Sequence, residues 1–381
     1  MSAPGGEAAR ASVSPSDGRA SAPQGAWRGH GWLEGARVLV TGAAGFIGSA
    51  ACRRLLAHGA EVVGVDSMDA GLYPADLKAD RLRGLLEGAP GAPGSFRFEQ
   101  VDVSSPGSVE ALLASLGWPE GGWVCLHAAA QAGVRRSIEH PRPYWSSNCA
   151  GFGEVLEAAR KRGCAHLVWA SSSSVYGDRR EPGAFAEADG PTTAPRSLYA
   201  ATKVAGEAAA AAYAHLHGLP VTGLRFFTVY GPWGRPDMAV WGFTRSIELG
   251  EPVRVFDEGR VARDWTHVDD VVEGVLRVLG CPPRGEGTDA PCRVLNIGRG
   301  EPTPVGEMLD LLEGHLGRRA VREEVGPQPG DVRVTWADTT ALRELTGWSP
   351  QVSLDEGLRR WVEWWRVVDG GNLIPWGIFS P

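Results

Sequence analysis

The feature that most restricts the fold is a glycine-spaced turn between a strand and a helix. Ala36-Arg37-Val38-Leu39-Val40 is a short apolar run, and it ends in Thr41-Gly42-Ala43-Ala44-Gly45-Phe46-Ile47-Gly48. A helical stretch follows over about residues 45–58, then a second apolar run, Glu61-Val62-Val63-Gly64-Val65-Asp66. Strand, turn, helix and strand in so short a span predict a βαβ unit with parallel strands. The glycines fall at G-x-x-G-x-x-G. The first permits a tight turn, the second lets backbone approach a pyrophosphate, and the third lets the helix press on the strand. Backbone N–H groups and the positive end of the helix dipole then face the phosphates. In a chain with 52 glycines a triplet alone says little; its place between strand and helix says more. Asp66 stands 18 residues after Gly48, where a carboxylate accepts the hydroxyls of an adenosine ribose. That carboxylate would repel a 2′-phosphate, and neither Ser67 nor Met68 brings a compensating cation, so the expected cofactor is NAD rather than NADP. Asp102-Val103, after a third strand, is a candidate adenine contact.

The alternation continues. Strands are expected over residues 96–102, 123–127, 166–171 and 221–226, and a helix over 108–116. Strands that alternate with helices imply an α/β class with a mostly parallel sheet covered on both faces. After Phe226 the elements shorten, and Pro, Gly and Trp become frequent. This predicts a smaller C-terminal lobe, with residues 269–279 and 294–297 returning to the sheet. Residues 354–368 carry apolar side chains at helical spacing, Trp361, Trp364 and Trp365 among them, which reads as a core stripe. The expected division is a first domain over 33–225 and about 264–299, and a lobe over 226–263 and 300–370. Residues 1–32, rich in Ala, Gly, Ser and Pro, read as a disordered extension, and 371–381 as a tail.

Several function classes drop out. A net charge of −7 argues against a nucleic-acid or anionic-membrane partner. No apolar run of about 18 residues predicts a membrane span, and no charged head with an apolar core marks a secretory signal. Six cysteines without C-x-x-C spacing suggest neither a disulfide framework nor a metal site. A cytoplasmic protein without metal is the expectation.

Of 38 basic residues only Lys78, Lys161 and Lys203 are lysines; the rest are arginines. Codon composition explains the bias, and it makes each remaining lysine a lead. Lys78 and Lys161 sit in polar segments that read as exposed and incidental. Lys203 follows Tyr199 by four residues in Tyr199-Ala200-Ala201-Thr202-Lys203, so both side chains lie on one helix face. A tyrosine of ordinary pKa is a poor base at neutral pH. A neighbouring ammonium and the positive nicotinamide ring would favour its phenolate. Lysine also suits a grip on the nicotinamide ribose, for which arginine is bulkier and differently shaped. Ser171-Ser172-Ser173-Ser174 follows a strand, at the edge where open α/β sheets bind ligands. A hydroxyl there can orient the oxygen that Tyr199 deprotonates.

Together these residues resemble the extended short-chain dehydrogenase/reductases, the NAD-dependent nucleotide-sugar epimerase and dehydratase group, over roughly residues 36–365. The likeness is closest to the UDP-glucuronate 4-epimerase branch. It is carried by residues 127–135 (HAAAQAGVR), 170–177 (ASSSSVYG), 197–203 (SLYAATK) and 224–238 (LRFFTVYGPWGRPDM). Two positions depart: Ser67 where Asn is frequent, and Arg136 where an aromatic is common.

The resemblance implies a Rossmann-type doubly wound parallel sheet with a smaller C-terminal substrate-binding lobe, a bound NAD, a UDP-sugar substrate and a homodimer. The Ser108 and Tyr199 helices are its candidate pairing elements. Catalytic roles fall to Ser172, Tyr199 and Lys203. The cofactor is expected on Gly42, Gly45, Phe46, Ile47 and Gly48 of the turn, with Asp66, Asp102 and Val103. Ala128, Ala129, Ala130 and Phe226 join them, as do Tyr199 and Lys203. Ser173, Ser174 and Thr228 are expected to cradle a hexuronate carboxylate, and Arg235 to meet it or its surroundings. Arg263 and Asp331 are expected at the pyrophosphate and the uridine ribose.

The implied reaction is transient oxidation at C4, rotation of the 4-keto sugar and re-reduction on its other face. A decarboxylase of this kind commonly carries Glu in place of Ser174, and a 4,6-dehydratase carries an Asp-Glu pair in place of Ser173-Ser174. Neutral hydroxyls lack the proton carriers for elimination and suit an anionic substituent. The first expectation is therefore conversion of UDP-glucuronate to UDP-galacturonate. A UDP-glucose/UDP-galactose 4-epimerase is the alternative, and a UDP-glucuronate decarboxylase the less favoured one. A non-catalytic NAD-binding module would be expected to have lost Tyr199 or Lys203.

Overall fold

The computed structural model describes residues 29–88, 91–178, 183–285, 290–326 and 332–369. The first half of the sheet is built by β1 (Arg37–Thr41), α1 (Phe46–Ala57), β2 (Glu61–Asp66), α2 (Ala75–Glu87), β3 (Ser95–Gln100), α3 (Ser108–Leu116) and β4 (Trp123–His127). Then come α4 (Val134–Glu139), α5 (Arg142–Tyr144), a π-helical turn at Trp145–Gly151 and α6 (Phe152–Lys161). β5 (His166–Ser172), α7 (Leu198–His217) and β6 (Val221–Phe226) follow. The remainder comprises β7 (Thr228–Tyr230), α8 (Ala239–Leu249), β8 (Pro252–Phe256), β9 (Ala262–His267), α9 (Val268–Leu279), β10 (Cys292–Ile297), β11 (Pro302–Pro304), α10 (Val305–Leu316), β12 (Val321–Val325), α11 (Thr340–Thr346) and α12 (Leu354–Asp369).

Seven strands form one parallel sheet in the order β10-β6-β5-β4-β1-β2-β3. This is the expected Rossmann-type doubly wound α/β sheet. Every residue of β4 and β6 is buried, as a strand covered on both faces requires. The order reverses between β1 and β4, and at that switch point the carboxyl ends of the strands leave a crevice. The smaller elements carry a three-stranded sheet, β11-β9-β7, and a parallel pair, β12-β8. Their core gathers Trp241, Trp265, Met308, Leu312, Leu358, Trp361 and Trp365. The stripe expected over 354–368 is part of it.

The N-terminal extension expected to run to residue 32 ends earlier. His30–Leu33 is a 3₁₀ turn. Leu33 is fully buried in the sheet core, and Trp32 packs on the same core. Two adjacent large apolar side chains give this short segment enough area to dock. The rest of the expected extension, residues 1–28, and the expected tail lie outside the described residues. Helices α2, α4 and α6 stand where no element had been expected.

Candidate active site

One pocket at the carboxyl edge of the sheet brings the separate motifs together. Gly42, Gly45, Phe46, Ile47 and Gly48 line it beside Asp66, Asp102, Val103, Ala128, Ala129 and Ala130. Ser172, Tyr199, Lys203, Phe226 and Arg235 line it as well. Ser173, Ser174, Thr228 and Arg263 are not among the lining residues. Ser174 lies next to them, its hydroxyl 3.0 Å from that of Ser172. Thr228 opens β7, and Arg263 sits on β9 opposite Thr303. Asp331 is outside the described residues.

The turn has the shape its glycines predict. Gly42 has φ +72°, and a Cβ there would stand 2.7 Å from the Ala129 backbone nitrogen. A Cβ on Gly48 would overlap the Gly42 carbonyl oxygen. The chain thus keeps bare backbone at the N-terminus of α1, which fits a dinucleotide pyrophosphate. Asp66, the expected ribose acid, is fixed by backbone. Its Oδ2 accepts the Ala44 N–H at 3.2 Å, and its Oδ1 accepts the Met68 N–H at 2.9 Å.

One expectation is overturned here. Lys78 is neither exposed nor incidental: its Nζ lies 3.0 Å from Asp66 Oδ1, its side chain is 14% exposed, and it lines the pocket. The cation missing at Ser67 and Met68 is supplied 12 residues later by α2. The segment before α2 returns the chain to the end of β2, a fold-back that local composition does not reveal.

The catalytic face is built by α7 on β5. Ser197 caps the helix, its Oγ accepting the Ala200 N–H at 3.1 Å, so Tyr199 falls in the first turn. Gly206 lets the helix lie close, since a Cβ there would meet the Trp169 ring at 2.8 Å. A buried pair fixes the register: Glu207 accepts from Arg225 Nε at 2.9 Å, from Arg225 Nη2 at 2.8 Å and from Ser171 Oγ at 2.7 Å. Lys203 Nζ donates to the Ala170 carbonyl at 2.7 Å and stands 5.8 Å from the Tyr199 ring centre. Lys203 is 5% exposed, and burial lowers its pKa to about 8. Burial raises the Tyr199 phenol above its ordinary value, while the Ser172 hydroxyl and the Arg235 guanidinium act against that rise. Ser172 is itself fixed, accepting the Ser174 N–H at 3.1 Å.

Supporting residues that sequence reasoning did not single out hold the 128–131 backbone. Thr41 Oγ1 contacts His127 Nδ1 at 2.7 Å and accepts the Ala129 N–H at 3.2 Å. Burial lowers the His127 pKa to about 3, so the ring is neutral there. Asn148, on the π-helical turn, accepts the Gln131 N–H at 2.8 Å. Its amide donates to the Gln131 carbonyl at 2.9 Å and to Thr202 Oγ1 at 3.1 Å. A π turn at a site-lining segment is a recurrent functional device, but no sequence signal marks it. Arg235 donates to Asp237 through Nε at 2.9 Å and Nη2 at 2.6 Å, and the residue faces the pocket. Arg136 Nη2 donates to the Gly71 carbonyl.

Comparison with known proteins points to one family. Residues 38–298 match the family model described as the NAD dependent epimerase/dehydratase family. The chain is 41% identical over 341 residues to a probable UDP-glucuronate 4-epimerase of Rhizobium meliloti (strain 1021), covering 86% of this chain and 96% of that protein. It is 41% identical over 349 residues to UDP-glucuronate 4-epimerase 1 of Arabidopsis thaliana, covering 89% of this chain and 78% of that one. Among solved structures, it superposes with a TM-score of 0.76 and 32% identity on the UDP-glucuronic acid 4-epimerase from Bacillus cereus in complex with UDP-glucuronic acid and NAD. That likeness covers 87% of this chain and 99% of the other.

Proposed function

Because this chain belongs to the NAD dependent epimerase/dehydratase family, we propose that it is an isomerase, a UDP-glucuronate 4-epimerase that forms UDP-galacturonate. One observation carries the reading. Tyr199, Lys203, Ser172 and Arg235 line the same pocket as the glycine turn and its acid, with hydroxyls rather than carboxylates at 173 and 174.

When bound, NAD supplies the acceptor and donor for the hydride at C4. The residues do the rest. Tyr199 Oη takes the proton of the 4-hydroxyl and returns it after the 4-keto sugar has turned. Ser172 orients that oxygen. Lys203 holds the nicotinamide ribose, and its ammonium stabilises the phenolate. Asp66 holds the adenosine ribose, Asp102 and Val103 border the adenine, and the turn with Ala128, Ala129, Ala130 and Phe226 encloses the dinucleotide. Arg235 draws the sugar's carboxylate toward the pocket, with Ser173, Ser174 and Thr228 as its hydroxyl partners. Arg263 and Asp331 are assigned to the pyrophosphate and the uridine ribose. Residues 226–263 and 300–370 act as the nucleotide-sugar lobe, although Leu342 and Trp348 pack into the sheet core.

A homodimer is part of the reading. It is supported by the side-by-side packing of α3, α6 and α7 and by the exposed Trp145 and Leu216 near that face. A cytoplasmic setting is supported by six unpaired thiols, four of them buried, and by a substrate and cofactor drawn from metabolite pools. Among the described residues no helix is long and apolar enough to cross a membrane.

The test is incubation with UDP-glucuronate and NAD⁺. The expected product is UDP-galacturonate without CO₂, from a protein whose scattering mass is twice that of one chain. Pentose and CO₂ as main products, or faster turnover of UDP-glucose, would overturn the substrate assignment; a single-chain mass would remove the dimer.

The Lys78–Asp66 pair gives a second expectation. With Asp66 intact, Lys78 is engaged and a 2′-phosphate is repelled. Asp66→Asn removes the repulsion and frees the ammonium, so NADP affinity relative to NAD should rise about tenfold or more. Adding Lys78→Met should cancel that rise. Titration of both dinucleotides into the two variants decides it; equal ratios would show that Lys78 does not reach the ribose end.

A further inference from the structure

Arg81, on α2, is fully buried, yet every hydrogen-bond acceptor it reaches is neutral. Its Nη2 donates to the carbonyls of Trp233 at 2.6 Å and Gly234 at 3.1 Å. Its Nε also reaches Trp233 O, at 3.1 Å. Its Nη1 donates to Ala44 O at 3.2 Å and to the Tyr73 hydroxyl at 2.8 Å. All the N–H groups of the guanidinium are thus spent on holding other groups in place. Asp66 bears on it electrostatically but accepts no hydrogen bond from it, and a cation buried without a bonded carboxylate is costly.

What it holds is an unusual piece of backbone. Trp233 has φ +64°, a left-handed conformation that bulky residues rarely adopt. Its ring packs against Trp364, with centroids 5.4 Å apart, and the Gly234 N–H closes a turn onto Gly231 O at 3.0 Å. Two residues later the chain delivers Arg235 into the pocket, where its guanidinium bears on Tyr199. Ala44, the other end of the clamp, is the turn residue whose N–H binds Asp66.

We propose that Arg81 is a positioning residue for substrate selection: it locks the left-handed turn at Trp233 and so keeps Arg235 aimed at the sugar. The proposal rests on the reading that the preferred sugar carries a carboxylate. Without Arg81, the Trp233 and Gly234 carbonyls lose their donors, the peptide rotates, and Arg235 swings away. An anionic sugar loses its cation by this route; a neutral sugar loses little.

The experiment compares kcat/KM for UDP-glucuronate and UDP-glucose in the wild type, Arg81→Met, Arg81→Lys and Arg81→Met with Trp233→Gly, with bound NAD counted in each. The expected result for Arg81→Met is a fall of about tenfold or more in the ratio, mainly through KM for UDP-glucuronate; any NAD lost from the Ala44 side of the clamp lowers both sugars alike and leaves the ratio to report on Arg235. Trp233→Gly in that background should restore part of the ratio, since glycine adopts the left-handed conformation freely. Arg81→Lys should fall between, because one ammonium cannot reach both loop carbonyls and Ala44. Parallel losses for both sugars, accompanied by a lower Tm, would overturn the proposal and leave Arg81 a purely structural residue. Should Arg81→Met fail to fold, an unchanged ratio in Arg81→Lys overturns it alone. A wild type inert on UDP-glucuronate sinks the substrate reading instead, a result visible before any variant is made.

Discussion

Replacing Tyr199 by Phe is expected to abolish interconversion of the two sugar epimers while sparing dinucleotide binding. The change removes one oxygen and leaves the ring, so its edge contact with Tyr144, at 6.3 Å between centroids, is kept. What disappears is the hydroxyl proposed to take the proton of the 4-hydroxyl and give it back. General acid–base catalysis of this type contributes about 10²–10⁴-fold, and here it is needed in both half-reactions, so the loss should lie at the upper end. The measurement is epimer formation from UDP-glucuronate, beside the dinucleotide released on denaturation. Turnover within about tenfold of the wild type would remove Tyr199 from the catalytic role.

The second large effect is expected at Lys203. Lys203→Arg keeps the charge but forces a wider, planar group into a buried position between the Ala170 carbonyl and the Trp169 ring, 5.7 Å from Nζ. Overpacking of this kind costs about 1–3 kcal/mol, and the fork cannot reproduce the single bond to Ala170 while facing a ribose. A fall in kcat of about 100-fold is expected. Lys161→Arg is the control. That side chain is 41% exposed and pairs with Glu110 at 2.9 Å, so its replacement should leave kcat within about twofold. Similar losses at both positions would return the scarcity of lysine to codon bias.

The same residue sets a pH dependence whose sign can be worked out. The Lys203 ammonium is present below about pH 8 and lost above it, so activity should fall as pH rises through that value. Stability should move the other way. The folded-state value lies below the ordinary 10.5, so the buried charge costs stability at neutral pH, and that cost fades as pH rises from about 8 toward 10.5. Lys203→Arg, always charged, should lack the alkaline limb.

The sheet was legible because its signals are local. β1 with its glycine turn, β2, β4, β5 and β6 each present a short apolar run, and the helix carrying Tyr199 and Lys203 presents its own spacing. The pocket followed, since strand ends in such a sheet converge at the switch point. Residues whose role depends on chain reversal were hidden. Lys78 and Arg81 lie on α2 among acidic and basic neighbours and look like any solvated helix face. Only the segment after β2 folding back on the glycine turn gives one an acid to neutralise and the other a loop to hold. Asn148 is concealed in the same way, by a π turn that no residue pattern announces. The pairing of β8 with β12, strands more than 60 residues apart, lies beyond what period-two patterning can specify.

The fastening of Lys203 to the Ala170 carbonyl has a corollary. It joins α7 to the strand that ends in Ser172, so Tyr199, Lys203 and Ser172 are anchored to the sheet, whereas Arg235 arrives on a loop held by separate clamps. Substitution in the loop over 231–238 can therefore alter which sugars are accepted while Lys203 and Ser172 keep their places, Tyr199 feeling the change only through Arg235.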